Sequence, residues 1–162
     1  MKDSPSLTIN REFLVHTMPV LTVAEKVVNN RYYLYISGNT VIRVQSKNDV
    51  FELERKENLS SKIGKSTKIK ISKEEYQQLK NNAVKEVNRI SYRFVEIPEL
   101  TIREYGGAYA GFIRAEIYFK SINDADTFKP YSWLDKEITG TPLSQDATMI
   151  MLTDREFKKL LK

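Results

Sequence analysis

Charged side chains alternate with apolar ones in two segments of the sequence. Lys68 and Lys70 share one face of the segment TKIKI, and Arg114 and Glu116 share one face of Phe112–Phe119. Alternation with a period of two residues is typical of a β-strand with one polar and one apolar face. Lysine and arginine make strong charge-assisted contacts to phosphate oxygens, whereas carboxylates are the ligands that Mg²⁺ and Mn²⁺ prefer. Such residue types suit sites for phosphate groups and for divalent metal ions.

Other kinds of catalytic site have little support in the sequence. His16 is the single histidine and has no serine or cysteine nucleophile near it, so a surface or packing role fits it best. Gly106 and Gly107 predict a turn and not a phosphate-binding loop, because no G-x-x-x-x-G-K pattern follows. The chain has no cysteine, which excludes disulfides and thiolate metal sites.

The composition predicts one globular domain spanning residues 1–162. The chain is 41% hydrophobic and 29% charged, with a net charge of +5 at pH 7. A modest positive charge favours a polyphosphate, nucleotide or nucleic-acid partner, although a merely well-solvated surface accounts for it equally well. We find no apolar run long enough for a membrane span and no signal-peptide pattern, so we expect a cytoplasmic protein.

Periodicity and turn residues predict about eight strands and a few helices. Predicted strands are Thr8–Val15, Arg31–Ile36, Thr40–Gln45, Val50–Lys56, Thr67–Ile71, Val87–Val95, Leu100–Tyr105 and Phe112–Phe119. Predicted helices are Leu21–Asn30 with Thr22 as a possible N-cap, a segment over 72–83 that Ser72 and Glu75 begin with a capping box, Asn123–Phe128, and Asp154–Lys162 with Thr153 as N-cap. Leu59–Lys65 is predicted as a polar loop.

These elements predict an α+β fold built on an eight-stranded antiparallel β-barrel or tunnel with flanking helices. A closed barrel gives charged strand faces a lumen, while helices cover the apolar faces. In the first strand, Thr8, Asn10 and Glu12 would then face the lumen, and Ile9 and Phe13 would pack against covering elements.

Motifs along most of the chain resemble those of the CYTH superfamily, also called triphosphate tunnel metalloenzymes. Residues 8–15 (TINREFLV) resemble the opening strand E-x-E-R-K-F-L-V, and residues 111–119 (GFIRAEIYF) resemble G-L-x-x-A-E-x-E-F. Residues 128–139 resemble F-x-x-P-x-W-L-x-x-E-V-T with one extra residue. In order along the chain, these motifs indicate a diverged member of that superfamily.

The resemblance implies a triphosphate in the lumen, neutralised by cations beside one or two Mg²⁺ or Mn²⁺ ions. The cations at matching strand positions, which the resemblance makes phosphate-binding candidates, are Arg43, Lys56, Lys68, Lys70, Arg89 and Arg103. The candidate metal ligands are Glu116 and Glu137, with Glu12 and Glu54 as further carboxylates.

Several positions depart from the pattern and leave the implied metal site incomplete. Thr8 and Asn10 replace glutamates, Glu12 replaces a lysine, and Lys68 and Lys70 replace the acidic pair of a central strand. Two plainer alternatives remain open: both lysines belong to the solvated face of an edge strand, and Glu116 forms a structural ion pair with Arg103 or Arg89.

The sequence therefore predicts binding of a triphosphate, polyphosphate or nucleotide-like anion, with metal-dependent catalysis weakened or lost. One alternative is an active Mg²⁺- or Mn²⁺-dependent phosphatase of inorganic triphosphate or thiamine triphosphate, or a class IV adenylyl cyclase. Another is a nucleic-acid or protein interaction domain on the same fold, which we favour less.

Overall fold

The computed structural model describes residues 9–58 and 64–162. Within them the strands are β1 (Ile9–Leu14), β2 (Val23–Ser37), β3 (Thr40–Lys47), β4 (Val50–Asn58), β5 (Gly64–Lys70), β6 (Lys85–Phe94), β7 (Leu100–Tyr105) and β8 (Ile113–Phe119). The α-helices are α1 (Lys73–Lys80), α2 (Ile122–Thr127), α3 (Asp146–Met149) and α4 (Asp154–Leu160), with 3₁₀ turns at Gly107–Tyr109 and Pro142–Ser144.

The strands form an eight-stranded antiparallel sheet in the order β1-β8-β7-β6-β2-β3-β4-β5. The predicted α+β class and the eight-stranded antiparallel sheet with flanking helices are therefore confirmed. Hydrogen bonding leaves β1 and β5 as the edges of this sheet.

The predicted helix over Leu21–Asn30 is wrong, because residues 23–30 lie in the first half of the long strand β2. Asn29 pairs with Lys47 of β3, and Asn48 both donates its backbone N–H to the Val28 carbonyl and accepts the Val28 N–H on its side chain. The β-branched valines of this segment suit a strand, and its last residues pair with β3.

Contacts between residues divide the chain into two compact units. Among the described residues, the first unit comprises 28–58 and 64–88, and the second comprises 9–27 and 89–162. Strands β2 and β6 each contribute residues to both units, which are described separately below.

In the first unit, the strand register gives the sheet one polar face. Tyr33 lies opposite Arg43, Arg43 opposite Glu54, and Glu54 opposite Lys68. Residues directly opposed in antiparallel strands project to the same face. Lys70 is on this face too, two residues after Lys68, so the prediction that both lysines share a face is confirmed.

The other face of the first unit is apolar and is covered by α1. Val44 lies opposite Leu53 there, and the buried Tyr76 ring of α1 packs on Tyr32 and Phe51, with ring centroids 5.9 and 4.9 Å apart. The predicted capping box that begins this helix is present, with both reciprocal hydrogen bonds formed.

The second unit repeats this division into an apolar and a polar face. Its core consists of Phe13, Val15, Phe94, Leu100, Ile102, Ala115 and Ile117. On the polar face, Glu12 lies opposite Glu116 and Arg103 lies opposite Arg114. The predicted faces of β1 are thus correct for Phe13 and Glu12, although Ile9 is only half-buried and Thr8 lies outside the described residues.

The C-terminal part of the second unit has elements that the sequence reading missed. Pro142–Ser144 and α3 precede the predicted terminal helix α4, which begins with a capping box at Thr153 as expected.

The predicted loop over Leu59–Lys65 lies mostly outside the described residues, and Gly64 and Lys65 belong to β5. None of the helices in the described ranges has the length and hydrophobicity needed to cross a membrane.

Candidate functional site

The first unit holds a buried ion pair between Arg43 and Glu54. Nε and Nη2 of Arg43 donate to Glu54 Oε2 at 2.9 and 2.5 Å, and Nη1 donates to the Tyr33 hydroxyl at 3.2 Å. Ser66 Oγ donates to the other oxygen of Glu54 at 2.7 Å. Burial raises the pKa of Glu54, but Arg43, Ser66 and Lys68 outweigh it and lower the pKa to about 2. Glu54 therefore stays ionised and orients the guanidinium.

Lys56 lies half-buried beside this ion pair. Burial lowers the pKa of its ammonium group, and nearby Arg43, Arg31 and Lys68 lower it further, while Glu54 alone opposes them. Within the described residues, no carboxylate comes within ion-pair distance of Lys56. The protein thus holds a partly desolvated cation among other cations.

Lys68 and Lys70 extend the positive face along β5. Lys68 Nζ is 4.0 Å from Glu54 Oε1, and its side chain is 45% exposed. Lys70 is exposed and lies opposite Glu52. We call Arg43, Glu54, Lys56 and Lys68 the Lys56 cluster; its three cations and one carboxylate leave it positive.

The second unit brings two carboxylates together across the β1–β8 pair. Nδ2 of Asn10 donates to Glu12 Oε1 and to Glu116 Oε1, both at 2.8 Å. Arg103 Nη1 donates to Glu116 Oε2. The structural ion pair between Glu116 and Arg103, one of the two plainer alternatives, is therefore formed.

The two carboxylates have opposite pKa shifts. Burial and then Glu116 raise the pKa of Glu12 to about 6, against Arg114, Arg103 and a Thr139 hydrogen bond that lower it. Burial also raises the pKa of Glu116, but the charge of Arg103 and a Tyr118 hydrogen bond outweigh it and give a net lowering.

A second buried group, the Asp146 cluster, consists of Arg89, Tyr105, Arg114 and Asp146. Its hydrogen bonds converge on Asp146 Oδ1, from Tyr105 Oη at 2.6 Å, Arg114 Nη2 at 3.1 Å and Arg89 Nη1 at 3.2 Å. Arg89 also lies 3.0 Å from Oδ2. Burial and then Asp146 raise the pKa of Tyr105 to about 12, so its hydroxyl remains a donor.

Glu137 lies apart from Glu116. It receives Nε and Nη2 of Arg11 at 2.8 and 2.6 Å. Arg11 and Asn10 are adjacent in β1 and point to opposite faces, so Glu137 and Glu116 do not share a ligand sphere. The structure brings Glu116 together with Arg103, but not with the other predicted metal ligand.

This donor set does not fit an Mg²⁺ or Mn²⁺ ion. An amide N–H₂ group, itself a donor, lies between Glu12 and Glu116, and an arginine holds the remaining Glu116 oxygen. In the described part of the chain, no group of three or more acidic or histidine side chains is arranged to hold a metal ion.

Three important residues were missed at the sequence level. Arg114 was placed on the charged face of its strand but was not named as a candidate site residue. Tyr105 was predicted only as the last residue of a strand, and Asp146 lies in a segment with no strand or helix pattern that we recognised. No local signal connects Asp146 to arginines more than 30 residues away.

Comparison with known proteins identifies the fold. No protein-family model matches the chain, and no curated protein matches it in sequence. A structure of the inorganic triphosphatase NE1496 matches with a TM-score of 0.76 at 18% identity, covering 91% of this chain and 97% of that one. Another structure of NE1496, described as a hypothetical protein, matches with a TM-score of 0.75 at 18% identity over 90% and 98%. A conserved hypothetical protein from Pyrococcus furiosus matches at 11% identity and a TM-score of 0.50, over 74% and 83%. The chain therefore has the CYTH fold that its sequence resemblance predicts.

Proposed function

We propose that this protein binds a triphosphate, polyphosphate or nucleotide-like anion through the Lys56 cluster and Lys70. The observation that carries the proposal is Lys56 itself, a half-buried ammonium group with cations around it and no ion-pair partner in the described residues. A polyanion is the ligand chemistry that would neutralise such a group.

The electrostatics favour a ligand with several negative charges. Arg43 is already held by Glu54, so its role is to fix the site and add positive charge, while Lys56, Lys68 and Lys70 supply movable ammonium groups. Partly buried charges are screened less by salt than exposed ones. A bound phosphate chain would stabilise protonated Lys56 and raise its pKa.

We further propose that metal-dependent catalysis is weakened or lost. The arrangement of Asn10 between Glu12 and Glu116 supports this, as does the separation of Glu137. Cations alone can stabilise a ground state as well as a transition state, and uniform stabilisation does not accelerate a reaction.

A reducing cytoplasm is the location that the lack of cysteine suits.

The second candidate is a working Mg²⁺- or Mn²⁺-dependent triphosphatase. It is favoured by the structural likeness to a protein named an inorganic triphosphatase, which covers 91% of this chain. The adenylyl cyclase and interaction-domain alternatives have no comparable observation in their favour.

Titration of tripolyphosphate by calorimetry, with EDTA and then with Mg²⁺, tests the proposal. We expect binding in EDTA, and we expect Lys56→Gln to weaken it because a charge-assisted contact is lost, typically about 1.5–3 kcal/mol. At alkaline pH, binding should be accompanied by proton uptake, which titrations in buffers of different ionisation enthalpy measure. Lys73→Gln, an exposed lysine of α1, is the matched control.

Two results would contradict this assignment. Equal affinity of Lys56→Gln and the unmodified protein would place the ligand elsewhere. The absence of tripolyphosphate binding in either buffer would favour an interaction domain. Arg43→Glu is a poorer test, because it places two carboxylates together in a buried site and threatens folding.

A further inference from the structure

Strand β5 is an open edge in the first unit, and its side chains are exposed. It pairs with β4 on one side, and no strand of the described residues pairs with its other side. Residues 65–70 are all exposed, with Ile69 at 54%. Successive residues of a strand turn their backbone N–H and C=O groups to opposite sides, so about half of these groups in β5 point away from β4. Such an edge is a template for a further strand.

The side chains of β5 make this edge basic. The strand has three lysines and no acidic residue. Each lysine lies directly opposite a glutamate of β4, in the pairs Lys65–Glu57, Lys68–Glu54 and Lys70–Glu52. Charges of opposite sign that face each other across a sheet stabilise the pairing of the strands. The pairing with β4 shows that an acidic strand fits beside β5.

The glutamates of β4 nevertheless leave the lysines of β5 largely unpaired, because other groups hold these carboxylates. The groups are Arg43 for Glu54 at 2.5 Å, Gln45 and Lys47 for Glu52 at 2.8 and 3.4 Å, and Arg55 for Glu57 at 3.2 Å. Within residues 9–58 and 64–162, Lys68 is the one lysine of β5 within ion-pair distance of a carboxylate, at 4.0 Å from Glu54 Oε1. The exposed ammonium groups of Lys65 and Lys70 are therefore available to a partner.

The sequence of β4 indicates which pattern of residues suits the open side of β5. Glu52, Glu54 and Glu57 oppose the three lysines, and Leu53 opposes Ile69. A strand added antiparallel on the open side meets the same side chains in the same order. It fits best with acidic residues at its first, third and sixth positions and an apolar residue at its second. Lysines on an edge discourage pairing with a basic strand, so the same edge favours an acidic one.

We infer that the open edge of β5 binds an extended acidic peptide segment as an added antiparallel strand. Backbone hydrogen bonds supply affinity in this mode of recognition, and the alternating side chains supply specificity. Binding of such a segment does not depend on the proposed function, since Lys65 lies on the face of β5 opposite to Lys68 and the rest of the Lys56 cluster.

A fluorescent peptide with the core Glu-Val-Glu-Thr-Thr-Glu is the probe, and its anisotropy is measured at constant ionic strength. We expect saturable binding to the unmodified protein. Lys65→Gln and Lys70→Gln should each weaken binding about twofold to fivefold, as the loss of an exposed ion pair does. Lys73→Gln, an exposed lysine of α1, is the matched control and should bind as the unmodified protein does.

A second peptide, in which two prolines replace the threonines, tests whether the backbone takes part. It keeps all three carboxylates, but two successive residues without an N–H remove a donor on either side of the strand. We expect it to bind about tenfold more weakly, since at least one backbone hydrogen bond is lost and its neighbours are disturbed. In the complex with the first peptide, the amides of β5 that point away from β4 should exchange more slowly with deuterium.

Equal affinity for the proline peptide, or unchanged exchange in β5, would overturn the inference and indicate attraction of charges alone. Equal peptide affinity of Lys65→Gln and the unmodified protein would also overturn it. Titration of tripolyphosphate in the same variants separates this edge from the proposed function. A protein that binds tripolyphosphate but not the first peptide lacks the inferred edge site and keeps the proposed one, and the reverse result keeps the edge site alone.

Discussion

Glu12 and Glu116 are directly opposed across β1 and β8, and the protein holds this unfavourable pair with neighbouring groups. Like charges directly opposite in a sheet destabilise it. Here Asn10 donates to both carboxylates, and Arg103 pairs with Glu116, which leaves Glu12 as the member whose charge is costly. Perturbed carboxylates of this kind concentrate at functional sites.

Glu12→Gln should stabilise the protein above pH 6. The folded-state pKa of Glu12 is about 6, above the ordinary value of 4.5, so the native state binds the extra proton between these values. Stability is therefore lost as the pH rises through this window, by about 2 kcal/mol for a shift of this size. The variant removes this loss, so its urea unfolding free energy should exceed that of the unmodified protein at pH 7.5 and approach it at pH 4.5.

Glu99→Gln, an exposed glutamate, is the control for this measurement. A Glu12→Gln variant that is less stable than the unmodified protein at pH 7.5 would mean that the ionised form of Glu12 stabilises the fold.

The residue types at the polar faces could be predicted, but their partners could not. Alternation places Lys68, Arg114 and Glu116 on faces correctly, because a strand has a fixed period. Whether an arginine meets a ligand or an internal carboxylate depends on contacts distant in sequence. Arg89 and Arg103 were predicted to bind phosphate and are engaged by Asp146 and Glu116 in this structure.

Among the elements, strands and capped helices were predicted well, and segments with mixed signals were not. Residues 72–83 carried a capping box, a local signal that needs no tertiary contact, and α1 follows from it. Leu21–Asn30 also offered a possible N-cap at Thr22, yet most of this segment lies in β2, whose pairing with β3 a local reading cannot detect.

The two faces of β5 should contribute differently to anion binding. Lys68 and Lys70 lie on the face of Glu54, whereas Lys65 lies on the opposite face and opposite Glu57. Lys68→Gln and Lys70→Gln should each weaken tripolyphosphate binding in EDTA, less than Lys56→Gln does because both lysines are exposed to solvent. Lys65→Gln should leave the affinity unchanged, measured by calorimetry at constant ionic strength.

Equal losses from all three β5 substitutions would indicate general attraction to a basic edge strand. In that case the other plainer alternative, a solvated edge face, would describe β5 correctly.

For the whole molecule, the order of weak motifs predicted the fold although no single motif was decisive. Each of the two units has an apolar face that a strand-and-helix pattern specifies, and the fold is shared with NE1496 at 18% identity. The segment from Pro142 to Met149 was not predictable, because it depends on a buried aspartate and on short turns with no periodicity.

Tripolyphosphate hydrolysis by the unmodified protein should be slow or absent in Mg²⁺ or Mn²⁺. Catalysis of this kind needs carboxylates clustered beside the phosphate to hold a metal ion, and Asn10 occupies the space between Glu12 and Glu116. Release of inorganic phosphate measures turnover, with NE1496 as the positive control for the assay. Asn10→Asp replaces the donor with a third carboxylate and should gain Mn²⁺ affinity, read by the electron paramagnetic resonance of free Mn²⁺. Robust metal-dependent turnover by the unmodified protein would reject the weakened site and establish the triphosphatase alternative.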